Sequence, residues 1–196
     1  MTQAASFTLT EFTGADVELG VEITENAGSL DFTLSLLSSP SGTGDISAFW
    51  GHIGDESLIG GLSVASTSGD FLSNFEQSAN NVNNLGGGNN LNGGGTPAPL
   101  DFGFRIGDTG GGSQIQLTSF TLSHDTEVLD LSLFDSEFFG ARIKGISGSP
   151  DSSKLSGTFD PPPPSGNTVS ATGSGLAFMV IGLGGLGLFR RFARKS

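Results

Sequence analysis

Cysteine and tyrosine are absent from this 196-residue chain, which has one tryptophan and two histidines. Without cysteine there are no disulfides, no thiolate metal sites and no Cys nucleophile. Charge is also scarce: 14% of residues are charged, against about 25% in an ordinary soluble domain. Basic residues are scarcest of all. Arg105, Arg142, Lys144 and Lys154 are the only cations before position 190, against 20 acids that all lie at or before Asp160. That stretch therefore carries a net charge of −16. A phosphate backbone would be repelled by it, so nucleic acid is not an expected partner. Residues Met1–Ser6 have neither a basic nor an apolar leader segment. Gln3-Ala4-Ala5-Ser6 resembles the small-residue junction left by signal cleavage, and the expectation is that a leader precedes it.

What is abundant is glycine, 32 residues, and phenylalanine, 16. Gly, Ser, Thr and Asn disfavour long helices and suit short strands joined by turns. Strict alternation marks several of these strands. Phe7 and Leu9 share one face of residues 6–13. Val17, Leu19, Val21 and Ile23 alternate with Glu18, Gly20, Glu22 and Thr24. A turn at Glu25-Asn26-Ala27-Gly28 then leads to Leu30, Phe32, Leu34 and Leu36, a hairpin pattern. Residues 46–53 and 58–64 are weaker strands. Residues 100–106, 115–122, 129–133 and 139–143 complete the series, and residues 71–79 fit a short helix. Residues 80–99 contain Asn83-Asn84-Leu85-Gly86-Gly87-Gly88, nearly repeated from Asn89 to Gly95. This Asn/Gly composition predicts a surface excursion. Eight or nine strands without strand–helix–strand alternation predict an all-β antiparallel sandwich or jelly roll over residues 1–159.

At Asp160 the composition changes. Pro161, Pro162, Pro163 and Pro164 form an extended hinge, and residues 160–175 read as a Pro/Gly/Ser linker. An apolar helix is expected over 176–189, with Leu176, Phe178, Val180, Ile181, Leu183, Leu186, Leu188 and Phe189 facing lipid. Residues 168–189 hold no charge and would span roughly 33 Å as a helix, about one bilayer core. Arg190, Arg191, Arg194 and Lys195, within a basic tail at 190–196, would stay cytoplasmic and leave the body outside. Together the proline hinge, the Gly/Leu-rich apolar run and the arginine cluster resemble the PEP-CTERM sorting domain of exported bacterial proteins. Asp160-Pro161-Pro162-Pro163-Pro164 stands where that family carries Pro-Glu-Pro. The body is similar to cyanobacterial members of the group in Asn81–Gly88, Phe120–Asp125 and Ser152–Gly157. The resemblance implies an exosortase-like transpeptidase as partner, together with membrane lipid. It also implies an envelope or extracellular location and an association with extracellular polysaccharide.

No motif points to catalysis, and the chain is not expected to be an enzyme. Gly182–Gly187 matches G-x-G-x-x-G, but no acidic residue follows to hold a ribose. Gly61-Leu62-Ser63-Val64-Ala65 approximates a nucleophile elbow without its last glycine. A Ser63–His124–acid triad and a metal site on His52 and His124 are weaker candidates. No organic cofactor is expected. Calcium is the ion the acidic loops would suit, with Asp125, Glu127 and Asp130 as ligands, and the plainer reading of these residues is a solvated acidic face. Trp50 is the candidate platform for stacking a sugar ring. Two main functions follow: a structural protein of the cell surface or matrix, or a calcium-assisted carbohydrate-binding module on the same fold.

Overall fold

Alternating side chains bury one face of each early strand, and the computed structural model shows where that face goes. It describes residues 2–93, 99–107 and 114–160. Strands β1 (Ala4–Gly14), β2 (Glu18–Asn26) and β3 (Ser29–Ser38) form an antiparallel meander. Leu9, Leu19, Val21, Ile23, Leu30, Phe32 and Leu34 point into the core, and their acidic and hydroxyl neighbours face outward. Asn26 pairs with Ser29 across Ala27 and Gly28, whose φ values of 50° and 92° fit the primed turn a twisted hairpin requires.

The chain continues through β4 (Asp45–Gly51), β5 (Leu62–Ser66), β6 (Leu72–Val82), β7 (Leu100–Ile106), β8 (Leu117–His124), β9 (Phe138–Lys144) and β10 (Ser153–Thr158). Short 3-10 helices occupy Glu56–Leu58 and Leu131–Phe134. The class is all-β and antiparallel, as expected. The described strands number ten, joined in one sheet in the order β5-β8-β3-β2-β1-β10-β9-β4-β7-β6. The two end strands meet through a side chain. The Gln77 carboxamide on β6 accepts from Gly60 N (2.7 Å) and Leu62 N (3.2 Å) and donates to Leu62 O (3.0 Å). It acts as a peptide group that β6 lends to β5, and the sheet nearly closes.

Inside lies a phenylalanine cluster. Phe32 stacks on Phe120 with ring centroids 4.8 Å apart and also touches Phe49, Phe134 and Phe139. Each buried ring removes 150–250 Å² from water and sits edge-on or offset to its neighbours.

A second, smaller packet lies apart from this core and joins Ala48, Trp50, Val82, Leu85, Leu91 and Leu100. Its lid is the described part of the Asn/Gly repeat, residues 83–93, which turns inward at its leucines while its glycines stay exposed. Leu85 N donates to Asn89 O, Leu91 N donates to Asn83 O, and Asn84 bridges Asn90. Gly86, Gly87 and Gly88, all at positive φ, make the turn. Both leucines are buried. β4, sandwiched between core and packet, is buried at every position.

Three other expectations change. Of residues 71–79, expected as a helix, all but Phe71 belong to β6, an irregular strand that bends where Asn74 and Asn80 take left-handed φ. Leu129, Leu131 and Leu133 are buried, but from a loop and a 3-10 turn. β10 carries only Leu155 and Ser153 as buried residues, too faint a period to read from sequence. Pro161–Pro164, the apolar run and the arginine cluster lie outside the described residues. Among the described residues no helix is long and apolar enough to cross a membrane.

Candidate functional site

Among the described residues, one group of metal-competent side chains converges: His52, Glu56 and Asp101, with ligand atoms within 4.8 Å of one another. His52 follows β4, Glu56 opens the first 3-10 helix and Asp101 belongs to β7. Asp101 is fully buried, and its carboxylate takes Ile53 N at 2.8 Å and Asn80 N at 2.6 Å. His52 Nδ1 lies 2.7 Å from Glu137 Oε2 and 3.4 Å from Asp101 Oδ2. The Glu137 approach is close enough for an ion pair but lacks hydrogen-bond alignment. His52 Nε2 lies 3.0 Å from Asn80 Oδ1, and the Asn80 amide nitrogen donates to Glu56.

This cluster therefore already does structural work. Asn80, held at φ 50°, gathers Asp101, His52 and Glu56 around one corner of the sheet. One imidazole with two or three carboxylates suits zinc or manganese better than calcium, which prefers oxygen alone. An ion here would use His52, Glu56 and Asp101, and it would compete with the amide N–H groups that Glu56 and Asp101 now accept from.

The residues singled out in the sequence fall elsewhere. Asp125, Glu127 and Asp130 do not converge. Asp130 caps the second 3-10 helix, accepting from Ser132 N (2.9 Å) and Ser132 Oγ (2.5 Å). It lines an open cleft of about 370 Å³ with Asp55 and Asp135. Asp55 caps the other 3-10 helix, and the Ser57 hydroxyl and amide hold its carboxyl below the ordinary value. Residues 125–127 instead wrap around His124, whose Nδ1 accepts from Thr126 N (3.2 Å) and Glu127 N (3.0 Å). The same Nδ1 lies 3.2 Å from Asp125 Oδ1.

Ser63 and His124 do not form a dyad. Leu62 is the partner of His124 in the ladder and Ser63 that of Ser123, so Ser63 and His124 lie on opposite faces. His52 and His124 sit in separate clusters.

Trp50 is wholly buried and offers no ring face to a sugar. Its indole occupies the space above Gly103, where any Cβ would collide with it. Sequence reasoning missed Asp101, Asn80 and Glu137 as partners of His52. Asp101 looked like an outward residue of an alternating strand, and nothing local marks it as buried. No protein family, no curated protein and no solved structure matches this chain.

Proposed function

We propose that this chain is an exported, non-catalytic β-sheet protein of the cell envelope or extracellular matrix, associated with extracellular polysaccharide. The expected flattened, sandwich-type body would be held at the membrane by residues 176–189. The carrying observation is the break in character at Asp160: a body of charge −16 gives way to a proline hinge, a charge-free run and four cations. The structure on the near side of that break supports the reading. Phe159 is buried, its N–H donates to Glu137 O (2.9 Å), and its carbonyl accepts from Ser136 N (3.1 Å). The last core residue is thus pinned directly before the hinge. An exosortase-like transpeptidase would act on Pro161–Pro164 and the following helix. Fractionation and intact-mass analysis, with expression from the full upstream reading frame in the native host, tests this. The expected product is in the envelope or medium, trimmed after Pro164. An intact cytosolic chain would refute it.

The His52–Glu56–Asp101 group favours a second reading, a cation-assisted carbohydrate-binding module. Its mark would be a melting temperature that rises with zinc or manganese and falls with chelator, a response lost in His52→Ala. Unchanged melts would remove it.

A further inference from the structure

The four cations of the acidic body are gathered on one side of the sheet. Lys154 pairs with Arg142, Arg142 with Ala48, and Ala48 with Arg105, along a single rung across β10, β9, β4 and β7. Lys144 lies two residues from Arg142 on β9 and so shares its face. Among the described residues no carboxylate lies within ion-pair distance of Arg105, Arg142 or Lys154. The Nε atoms of Arg105 and Arg142 are buried without an acceptor. Burying a charged donor with nothing to receive its hydrogen is costly. Burial lowers the pKa of Lys154 and Lys144, and the nearby Arg142 lowers both further. Asp45 offsets part of this at Lys144, and Asp151 does so at Arg142.

Beside this row a cleft of about 310 Å³ opens between Gly88 and the segment from Gly145 to Ser152, with Arg142, Lys144, Asp151 and Ser152 on its walls. The volume is at the small end of the range for ligand pockets. Arg142 Nη2 donates to Ser152 Oγ at 2.8 Å, which leaves the serine proton free to turn toward a guest. We propose that this cleft binds an oxyanion, a sulfate, phosphate or carboxylate group, with Arg142 as its principal contact. A guanidinium suits such groups because it donates in a planar fork. The lysines have a separate task. Lys144 Nζ donates to Gly87 O at 2.8 Å, and Lys154 Nζ donates to Asn90 Oδ1 at 2.9 Å and to Asn92 O. They tie down the Asn/Gly hairpin, which makes one lip of the cleft. This site is independent of the tail and of export.

The test follows the arginine Nε–H NMR signals of the full chain in nonionic detergent. Sodium sulfate, sodium phosphate, oligogalacturonate and a sulfated oligosaccharide are titrated against chloride at matched ionic strength. At least one should shift the Arg142 signal saturably, and Arg142→Gln, followed through the backbone amide signals of Gly145 and Ser152, should weaken its binding about tenfold or more. Equal binding by inorganic and sugar-borne groups would make the free anion the ligand. Binding by the oligosaccharides alone would make it an anionic polymer. A response no larger than that of chloride, or unchanged in Arg142→Gln, would overturn the proposal. The wild-type signals decide it even where the variant does not fold.

Discussion

The two apolar packets of this protein are built by different rules. The large core is made by strands that alternate, so each residue's neighbours two positions away announce its side. The outer packet is closed by a loop that folds over Trp50, and the two leucines it brings, Leu85 and Leu91, lie outside any alternating strand. Phe32 is buried by pattern; Leu91 is buried because a glycine turn returns it to the sheet, where Gly140 leaves it room. The first arrangement tolerates many sequences with the same alternation. The second depends on individual glycines and on lysines that reach the loop from β9 and β10.

The largest expected effect breaks the core side of this contrast. Phe32→Ala removes a ring that touches four others and should cost about 3–5 kcal/mol, lowering the denaturation midpoint of the whole body as one transition. Leu91→Ala tests the other side. Its expected cost is about 2 kcal/mol, with amide exchange accelerating across residues 83–93 while β1–β3 stay protected. Loss of protection everywhere would show that the packets are one cooperative unit. Gln77→Ala should cost about 1–2 kcal/mol, because it removes the three hydrogen bonds by which β6 holds Gly60 and Leu62. Its readout is faster exchange at Leu62 and Gly60.

The smallest effect is a pH slope. Lys144 and Lys154 have pKa values below their ordinary 10.5 in the fold. Between those lowered values and 10.5 the unfolded chain holds more protons, so stability rises with pH through that alkaline window. Arg142→Gln should flatten the rise, as measured by denaturant melts across the window.

The same contrast decides what the sequence made legible. β1, β2, β3, β7 and β9 could be read because one face of each meets a continuous apolar interior. β6 was read as a helix because Phe71, Leu72, Phe75 and Ala79 have helical spacing. In the structure β6 is an end strand, with Phe71 exposed just before it, and its bends are made by asparagines. The Asn/Gly hairpin reads as surface because Asn and Gly tolerate positive φ, and within it Leu85 and Leu91 are isolated in polar surroundings. That isolation was itself the available signal, two leucines at the same place in a near repeat. The His52 cluster was invisible because His52 and Glu56 meet Asn80, Asp101 and Glu137 only where β4, β7 and β6 lie side by side in the sheet. The acidic residues Asp125, Glu127 and Asp130 were visible but served local ends, capping a 3-10 turn and wrapping a histidine.

Gln77 also bears on how many copies can join. An open sheet is a monomer with two adhesive rims, and strand edges recruit other strands. Here both rims belong to consecutive strands, β5 and β6, and one carboxamide holds them face to face. With that latch shut, the two rims are held against each other at Gly60, Leu62 and Gln77. With it open, every copy becomes divalent, and at high local concentration edge-to-edge polymerisation competes with closure. A side chain on two methylenes thus stands between the two rims and the strands of other copies.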